Sequence, residues 1–535
     1  WSHEKILYSR ITNNIYVDNL TSARIGKSNS PNYNFYKYEN EKDEIERDYM
    51  PFFIMYKIPQ ILLNSSICWS GNTFWEDKNN NFIHKKNLKY ECKKISSNNI
   101  NKKIYGINLG NKENFKIKLK KNFKFNLINS FDIILSISFI FCIYLLNFQL
   151  NYKVCFYSFL YFISYLLLLF YQNKALIFGF DIFPGGMDGI VHISFGSRIF
   201  EDINNFEFSS AFRGGESAYY FLPGLRYFWA LNKFIFGDTF YGYLLLPFLY
   251  SFIIYLIFSS FIAKKTAIIL TSVNFFSNIF EGYALPNIKM LSHINVGHAE
   301  PFSIFFMLLS ISIFINSFYS QNKNLNLQSF FLGFSVFLSV FMRPDYLPSA
   351  LILIISFIYI QKKHINFKKI ILFCSLGFSF ILISPLHNYV YSNQLVLFTS
   401  NHPIIDFKGS GHNIGVSKGI YLEFFKDLFR MKINNNYNLI LEQITRWLKP
   451  EQVHYILSLS ITFLSLFIIK NKLIKVISLM ALSQHGLLLI FQPDHRYAYL
   501  AWILTIFVVI NFINILFNRY IYNIINYFKN SSTST

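Results

Sequence analysis

Asp188 stands in Gly179-Phe180-Asp181-Ile182-Phe183-Pro184-Gly185-Gly186-Met187-Asp188-Gly189-Ile190-Val191-His192, with a glycine after it and a histidine four residues on. Glycines let the backbone bend tightly and admit a bulky substrate. A carboxylate in that setting suits a general base that takes a hydroxyl proton; the plainer reading is a turn or capping aspartate. Asp181 and His192 are its polar companions and candidate substrate contacts. The next segment is Ala211-Phe212-Arg213-Gly214-Gly215-Glu216-Ser217-Ala218-Tyr219-Tyr220-Phe221-Leu222-Pro223-Gly224-Leu225-Arg226-Tyr227. Arginine offers paired donors to phosphate oxygens and tyrosine faces stack on sugar rings. Arg213, Tyr219 and Arg226 therefore read as binding residues, and Glu216 joins Asp188 as a candidate catalytic carboxylate. An interfacial aromatic belt explains the tyrosines equally well.

Four later segments repeat the combination of charge, imidazole and phenol. They hold His298 and Glu300, then Arg343 and Asp345, then His387 and Asn388, then Asp494, His495, Arg496 and Tyr497. Each lies where an apolar run begins or ends, and charged groups at membrane depth are costly and mostly face a cavity or a partner. Arg343 with Asp345 also reads as a local ion pair. His298 and Glu300 would suit a divalent ion near Asp188, or a histidine that satisfies a buried carbonyl. After Arg213, the Asp494–Tyr497 turn is the best phosphate clamp. P-loop, HExxH and CxxC patterns are absent from the sequence.

The elements that must position these residues are apolar. Hydrophobic residues make up 53% of the chain and charged residues 15%, against about a quarter charged in an average soluble domain. The excess must face something other than water. Residues 1–128 hold no long apolar stretch and predict a compact β-rich domain, with strand-like pieces at 49–63 and 114–127. Residues 129–535 predict a polytopic α-helical membrane domain of about eleven spans. The expected spans are 131–150, 154–173, 240–262, 266–280, 302–319, 328–342, 347–360, 370–385, 454–469, 474–491 and 498–516. The net charge of +21 is not gathered into one stripe: somewhat under half of the Lys and Arg precede residue 130, and many of the rest sit in short clusters between these runs. That distribution marks topology and argues against a nucleic-acid partner. Placing the clusters at Lys264, Lys323, Lys362 and Lys470 in the cytoplasm puts the N-terminal domain and the long loops 181–238 and 386–452 on one outer face. An outer N-terminal domain needs a preceding signal or span, and the chain opens on Trp1 without an initiator methionine. Cys68 and Cys92 both fall in the polar region, where an extracytoplasmic location would permit a disulfide.

Together these features resemble the membrane glycosyltransferases of the C superclass, which use polyprenyl-phosphate-linked sugar donors. The resemblance rests on the many spans, Asp188 in an early outer loop, and outer turns bearing Arg, His and Tyr; it covers the membrane part of the chain. It implies an inverting transfer at the extracytoplasmic face of a bacterial inner membrane, with Asp188 as base. The partners implied are a polyprenyl-phosphate sugar, membrane lipids and an acceptor glycan, lipid or protein. No cofactor is required, with Mg2+ or Mn2+ as an optional aid. The chain departs from the family pattern in that two spans and a polar domain precede Asp188, and the nearest paired acid, Glu201-Asp202, lies in a segment that reads as an amphipathic helix and ranks second as base. An O-antigen-type polymerase or ligase using Arg213, Arg496 and His387 is the rival enzyme reading. A polytopic transporter or flippase and a structural subunit are the non-enzymatic ones.

Overall fold

The computed structural model describes residues 15–17, 53–57, 64, 66–76, 82–94, 103–107, 115–120, 187–214, 223–236, 241–276, 298–319, 325–362, 366–392, 453–491 and 498–532, with shorter pieces within 156–167 and 437–449. Its helices begin and end where the sequence supplies breaks. The segment expected as a long outer loop is largely helical where described: α1 is Met187–Asn204, α2 is Phe208–Arg213 and α3 is Gly224–Phe236. Ile199 and Ile203 of α1 recur at helical spacing and pack with Ala211, Tyr227 and Ala230, which is why this stretch coils despite its glycines.

The bundle proper follows as α4 (Tyr241–Ser259), α5 (Lys264–Phe276), α6 (Glu300–Tyr319) and α7 (Leu325–Met342). Then come α8 (Leu347–Gln361), α9 (Phe367–Phe378), α10 (Ile383–Ser392), α11 (Val453–Ile468), α12 (Lys472–Phe491) and α13 (Tyr499–Ser532). Short 3-10 turns at Pro344–Tyr346 and Ser379–Leu382 join α7 to α8 and α9 to α10. Five stretches among the described residues are long and apolar enough to cross a membrane: Glu300–Phe318, Leu325–Met342, Pro344–Gln361, Phe367–Tyr391 and Tyr499–Asn518. Leu351, Ile355 and Tyr359 form an exposed stripe at i, i+4 spacing on α8. Apolar residues on the outside as well as in the core are what a lipid solvent demands, and the chain is a helical membrane protein. The expected spans at 131–150 and most of 154–173 lie outside the described residues.

Small residues bring the helices together. Ser303 of α6 and Ser339 of α7 donate to each other's carbonyl at 2.7 and 2.8 Å. Gly333 of α7 and Gly377 of α9 face each other's helix so closely that a Cβ would stand 2.2 Å from the Cys374 carbonyl oxygen and 2.1 Å from that of Phe330. Between helices already surrounded by apolar solvent, close backbone approach and interhelical hydrogen bonds supply the attraction that water would otherwise supply. The described strands of the N-terminal part are β1 (Ile15–Val17), β2 (Phe53–Lys57), β3 (Ser66–Glu76), β4 (Phe82–Lys94), β5 (Lys103–Ile107) and β6 (Phe115–Lys120). They pair antiparallel in the order β1-β6-β3-β5-β2, with β4 on the other side of β3.

Candidate functional site

Pro344 sets the geometry of the first cluster. A residue before proline is pushed out of the helical region, and Arg343 adopts φ −140°, ψ 98° as α7 ends. Its Nε and Nη2 donate to Oδ1 and Oδ2 of Asp345, both at 2.9 Å. Nη1 stands 2.6 Å from Oε1 of Glu300. Glu300 opens α6, where the partial positive charge of a helix N-terminus favours a carboxylate. Side-chain exposure rises from 3% for Glu300 through 11% for Arg343 to 25% for Asp345, so the trio runs from the interior to the surface. Burial works against the guanidinium charge, but Asp345 and then Glu300 beside it overcome that and hold its pKa well above the usual value. The guanidinium lies 5.6 Å from the centre of the fully buried Tyr346 ring. Gln484 of α12 donates to the Asp345 carbonyl at 3.1 Å and accepts from Ser349 at 3.0 Å. His298, two residues before Glu300, is buried.

The second cluster is built around the C-terminal end of α2. A helix leaves its last carbonyls without intrahelical donors, and here side chains from α3 and α10 supply them. Tyr391 donates to the Ser209 carbonyl at 3.0 Å, and Tyr227 donates to that of Phe212. His387 donates from Nε2 to the Arg213 carbonyl at 3.1 Å, and Arg226 Nη1 reaches the Gly214 carbonyl at 3.4 Å. Gly214 itself caps the helix at φ 98°, a left-handed conformation that suits glycine. Arg226 is fully buried, with its guanidinium 4.9 Å from the centre of the Phe195 ring on α1. Burial raises the Tyr227 phenol well above its ordinary pKa, with Tyr391 adding to the shift and Arg226 opposing it, so the hydroxyl remains a donor. Asn388 is buried on the same helix as His387, and both sit on α10 rather than in the loop expected from residue 386.

The two clusters share one end of the bundle. Helix α3 packs across the start of α6 and the end of α7: Phe228 and Trp229 contact Phe302 at 4.3 and 5.3 Å between ring centres, and Tyr227 lies 6.4 Å from Phe341. Phe302 is two residues from Glu300, and Phe341 is two residues from Arg343. Of the residues singled out from sequence, this arrangement gathers Arg213, Arg226, His298, Glu300, Arg343, Asp345, His387 and Asn388. Asp181, Glu216, Tyr219, Asp494, His495, Arg496 and Tyr497 lie outside the described residues.

Asp188 falls in the first turn of α1, where the sequence pattern had placed a glycine-rich loop. The side chain of Asp202, near the other end of α1, accepts from Ser210 of α2 at 2.7 Å. At the helical rise of 1.5 Å per residue, Asp188 and Asp202 are roughly 21 Å apart along the axis. Phe195, against which Arg226 stacks, lies about 10 Å from Asp188 on the same measure. Helix α1 therefore carries its two candidate carboxylates at opposite ends; Ser210 of α2 meets the Asp202 end, and Arg226 stacks midway between them. His192, half-buried, lies one turn from Asp188.

Four participants escaped the sequence reading: Tyr227 and Tyr391 as carbonyl donors, and Ser349 and Gln484 as a link from α8 and α12 to Asp345. The signal for Gln484 was present, since Ser483-Gln484-His485 interrupts an otherwise apolar helix. Among the described residues no group of three His, Cys, Asp or Glu side chains is placed to hold a metal ion. No protein-family model, curated protein or solved structure matches the chain.

Proposed function

We propose that the chain is a membrane glycosyltransferase that moves a sugar from a polyprenyl-phosphate donor to an acceptor glycan, lipid or protein at the extracytoplasmic face. The observation that carries this reading is the convergence of Arg213, Arg226, Glu300, Arg343 and His387 from separate segments onto one end of an apolar bundle. Charged side chains gathered at one end favour interfacial chemistry over transport, which would place them at mid-depth on broken helices. In this reading the bundle comprises about eleven spans, and the sheet of residues 1–128 is an outer domain that holds the acceptor or a partner protein. A mostly apolar groove lined by Leu459, Phe463, Leu482, His485, Gly486 and Leu489 lies beside Gln484 on α12 and would suit an isoprenoid chain. An arginine neutralises the phosphate as it leaves. Asp188 takes the acceptor proton, and the hydroxyl attacks the anomeric carbon with inversion.

The juxtaposition of His387 with Arg213 favours a second reading, a polymerase or ligase that works on lipid diphosphates through Arg and His. One experiment separates the two. Membranes bearing wild type, Asp188→Asn or Arg213→Gln are supplied with labelled polyprenyl-phosphate and polyprenyl-diphosphate glycans. Transfer from monophosphates that Asp188→Asn abolishes in a folded protein supports the first reading. Transfer from diphosphates that survives Asp188→Asn and fails in Arg213→Gln supports the second. Wild-type membranes inactive with every donor overturn both.

A further inference from the structure

The ladder between β3 and β4 makes Cys68 and Cys92 directly opposed Cα partners. Opposed residues of an antiparallel pair have Cα atoms about 4.5 or about 5.5 Å apart, according to their hydrogen-bonding class. Both distances fall inside the roughly 4.4–6.8 Å range that a disulfide spans. We propose that Cys68 and Cys92 are joined by a cross-strand disulfide, and that the sheet consequently folds in an oxidising compartment.

The ladder gives such a bridge a purpose. Next to Cys68 and Cys92, Trp69 pairs with Glu91, but two residues on Gly71 pairs with Asn87, so β4 advances by four residues where β3 advances by two. Pairing is least firmly specified beside such an irregularity, where a slip changes every later partner. A covalent bond one pair away holds the register on that side. Within the described strands β4 pairs with β3 alone, so the bridge also ties an edge strand to the centre of the sheet. Cys142, Cys155 and Cys374 lie in apolar runs of the sequence, and Cys374 is buried on α9.

The chemistry is thiol–disulfide exchange. A thiolate of the pair attacks the disulfide of a thiol oxidase of the compartment, and the mixed disulfide is resolved by the second cysteine. The protein thiols lose two electrons and two protons, and the oxidase disulfide becomes a dithiol. Such bonds persist outside the cytoplasm and are rare within it. The inference is independent of sugar transfer and would stand if the proposed enzymatic activity failed.

The test uses the full chain in the membranes that express it. Membranes are dissolved in hot denaturing detergent with excess N-ethylmaleimide, then reduced and labelled with iodoacetamide, and the peptides are mapped by mass spectrometry. The expected result is iodoacetamide alone on Cys68 and Cys92, and maleimide on Cys92 in Cys68→Ser and on Cys68 in Cys92→Ser. Maleimide on either residue in the wild type overturns the proposal. So does continued protection of Cys92 in Cys68→Ser, which would reveal a different partner.

Discussion

Arg343→Met keeps an unbranched side chain of similar reach and deletes the charge that faces Glu300 at 2.6 Å and Asp345 at 2.9 Å. Glu300 is then left as a carboxylate in a site only 3% exposed. Breaking a buried pair in this way costs about 3–5 kcal/mol, because the carboxylate that loses its counter-charge stays out of water. Asp345, at 25% exposure, keeps some hydration and adds about 0–1 kcal/mol. Glu300→Gln is milder, since Arg343 retains both bonds to Asp345; losing one charge-assisted bond costs about 1.5–3 kcal/mol. In the double variant the most deeply buried carboxylate is gone along with its partner. Its cost should therefore fall short of the sum of the two single costs by about 1–3 kcal/mol. The assay is a double-mutant cycle: four full-length proteins in mixed micelles are unfolded by stepwise addition of a denaturing detergent and followed by tryptophan fluorescence. Additivity within about 0.5 kcal/mol would refute the reasoning, since residues sharing one buried network should couple more strongly. An Arg343→Met protein as stable as wild type would do so as well, by showing that water reaches Glu300.

Two further variants probe the bundle and the phosphate site. Gly333→Ala and Gly377→Ala each place a methyl more than 1 Å inside ordinary contact with a backbone carbonyl of the opposite helix. Each should cost about 1–3 kcal/mol in the same detergent titration, whereas Gly486→Ala, with nothing within 4 Å, should be neutral or stabilising by up to about 1 kcal/mol. Arg213→Gln should weaken binding of a labelled polyprenyl-phosphate sugar by about ten- to a hundredfold, the equivalent of one charged hydrogen bond, with Arg213→Lys between it and wild type. Unchanged affinity in a folded Arg213→Gln protein would remove this residue from the clamp.

What could be read from the sequence was what depends on local pattern. The apolar run expected at 302–319 is α6, Glu300–Tyr319, and that expected at 474–491 is α12, Lys472–Phe491. The pair of Arg343 with Asp345 was visible too, because a proline between them fixes the turn that brings them together. Glu300 as the third member was not visible as such: forty-three positions separate it from Arg343, and only the packing of α6 against α7 closes that distance. The helical character of the stretch around Asp188 was hidden by Gly185, Gly186 and Gly189, which read as loop, whereas the segment around Glu201-Asp202 already read as an amphipathic helix. Gly196 is in fact a contact glycine, since a Cβ there would meet Trp229 Cβ at 2.5 Å. His387 and Arg226 were chosen as ligand-binding types, and the side-chain donors they provide are directed in the structure at backbone carbonyls of α2. Residue type alone cannot distinguish a donor for substrate from a donor for an exposed helix end, because the chemistry required is the same.

Charge at this end of the bundle narrows how a phosphate can be met there. Glu300 and Asp345 together outnumber Arg343, so the ionised trio carries a net negative charge and would repel a lipid phosphate before attracting it. Arg226 is fully enclosed, stacked on Phe195 and turned to the Gly214 carbonyl, so releasing it for a ligand would uncap α2. Arg213 differs from both: it is half-buried, and its carbonyl is held by His387 while its side chain belongs to the last turn of α2. Fixing the carbonyls of α2 from outside therefore fixes the base of the Arg213 side chain. A fixed backbone beneath a half-buried side chain is the arrangement that positions a cation at low entropic cost.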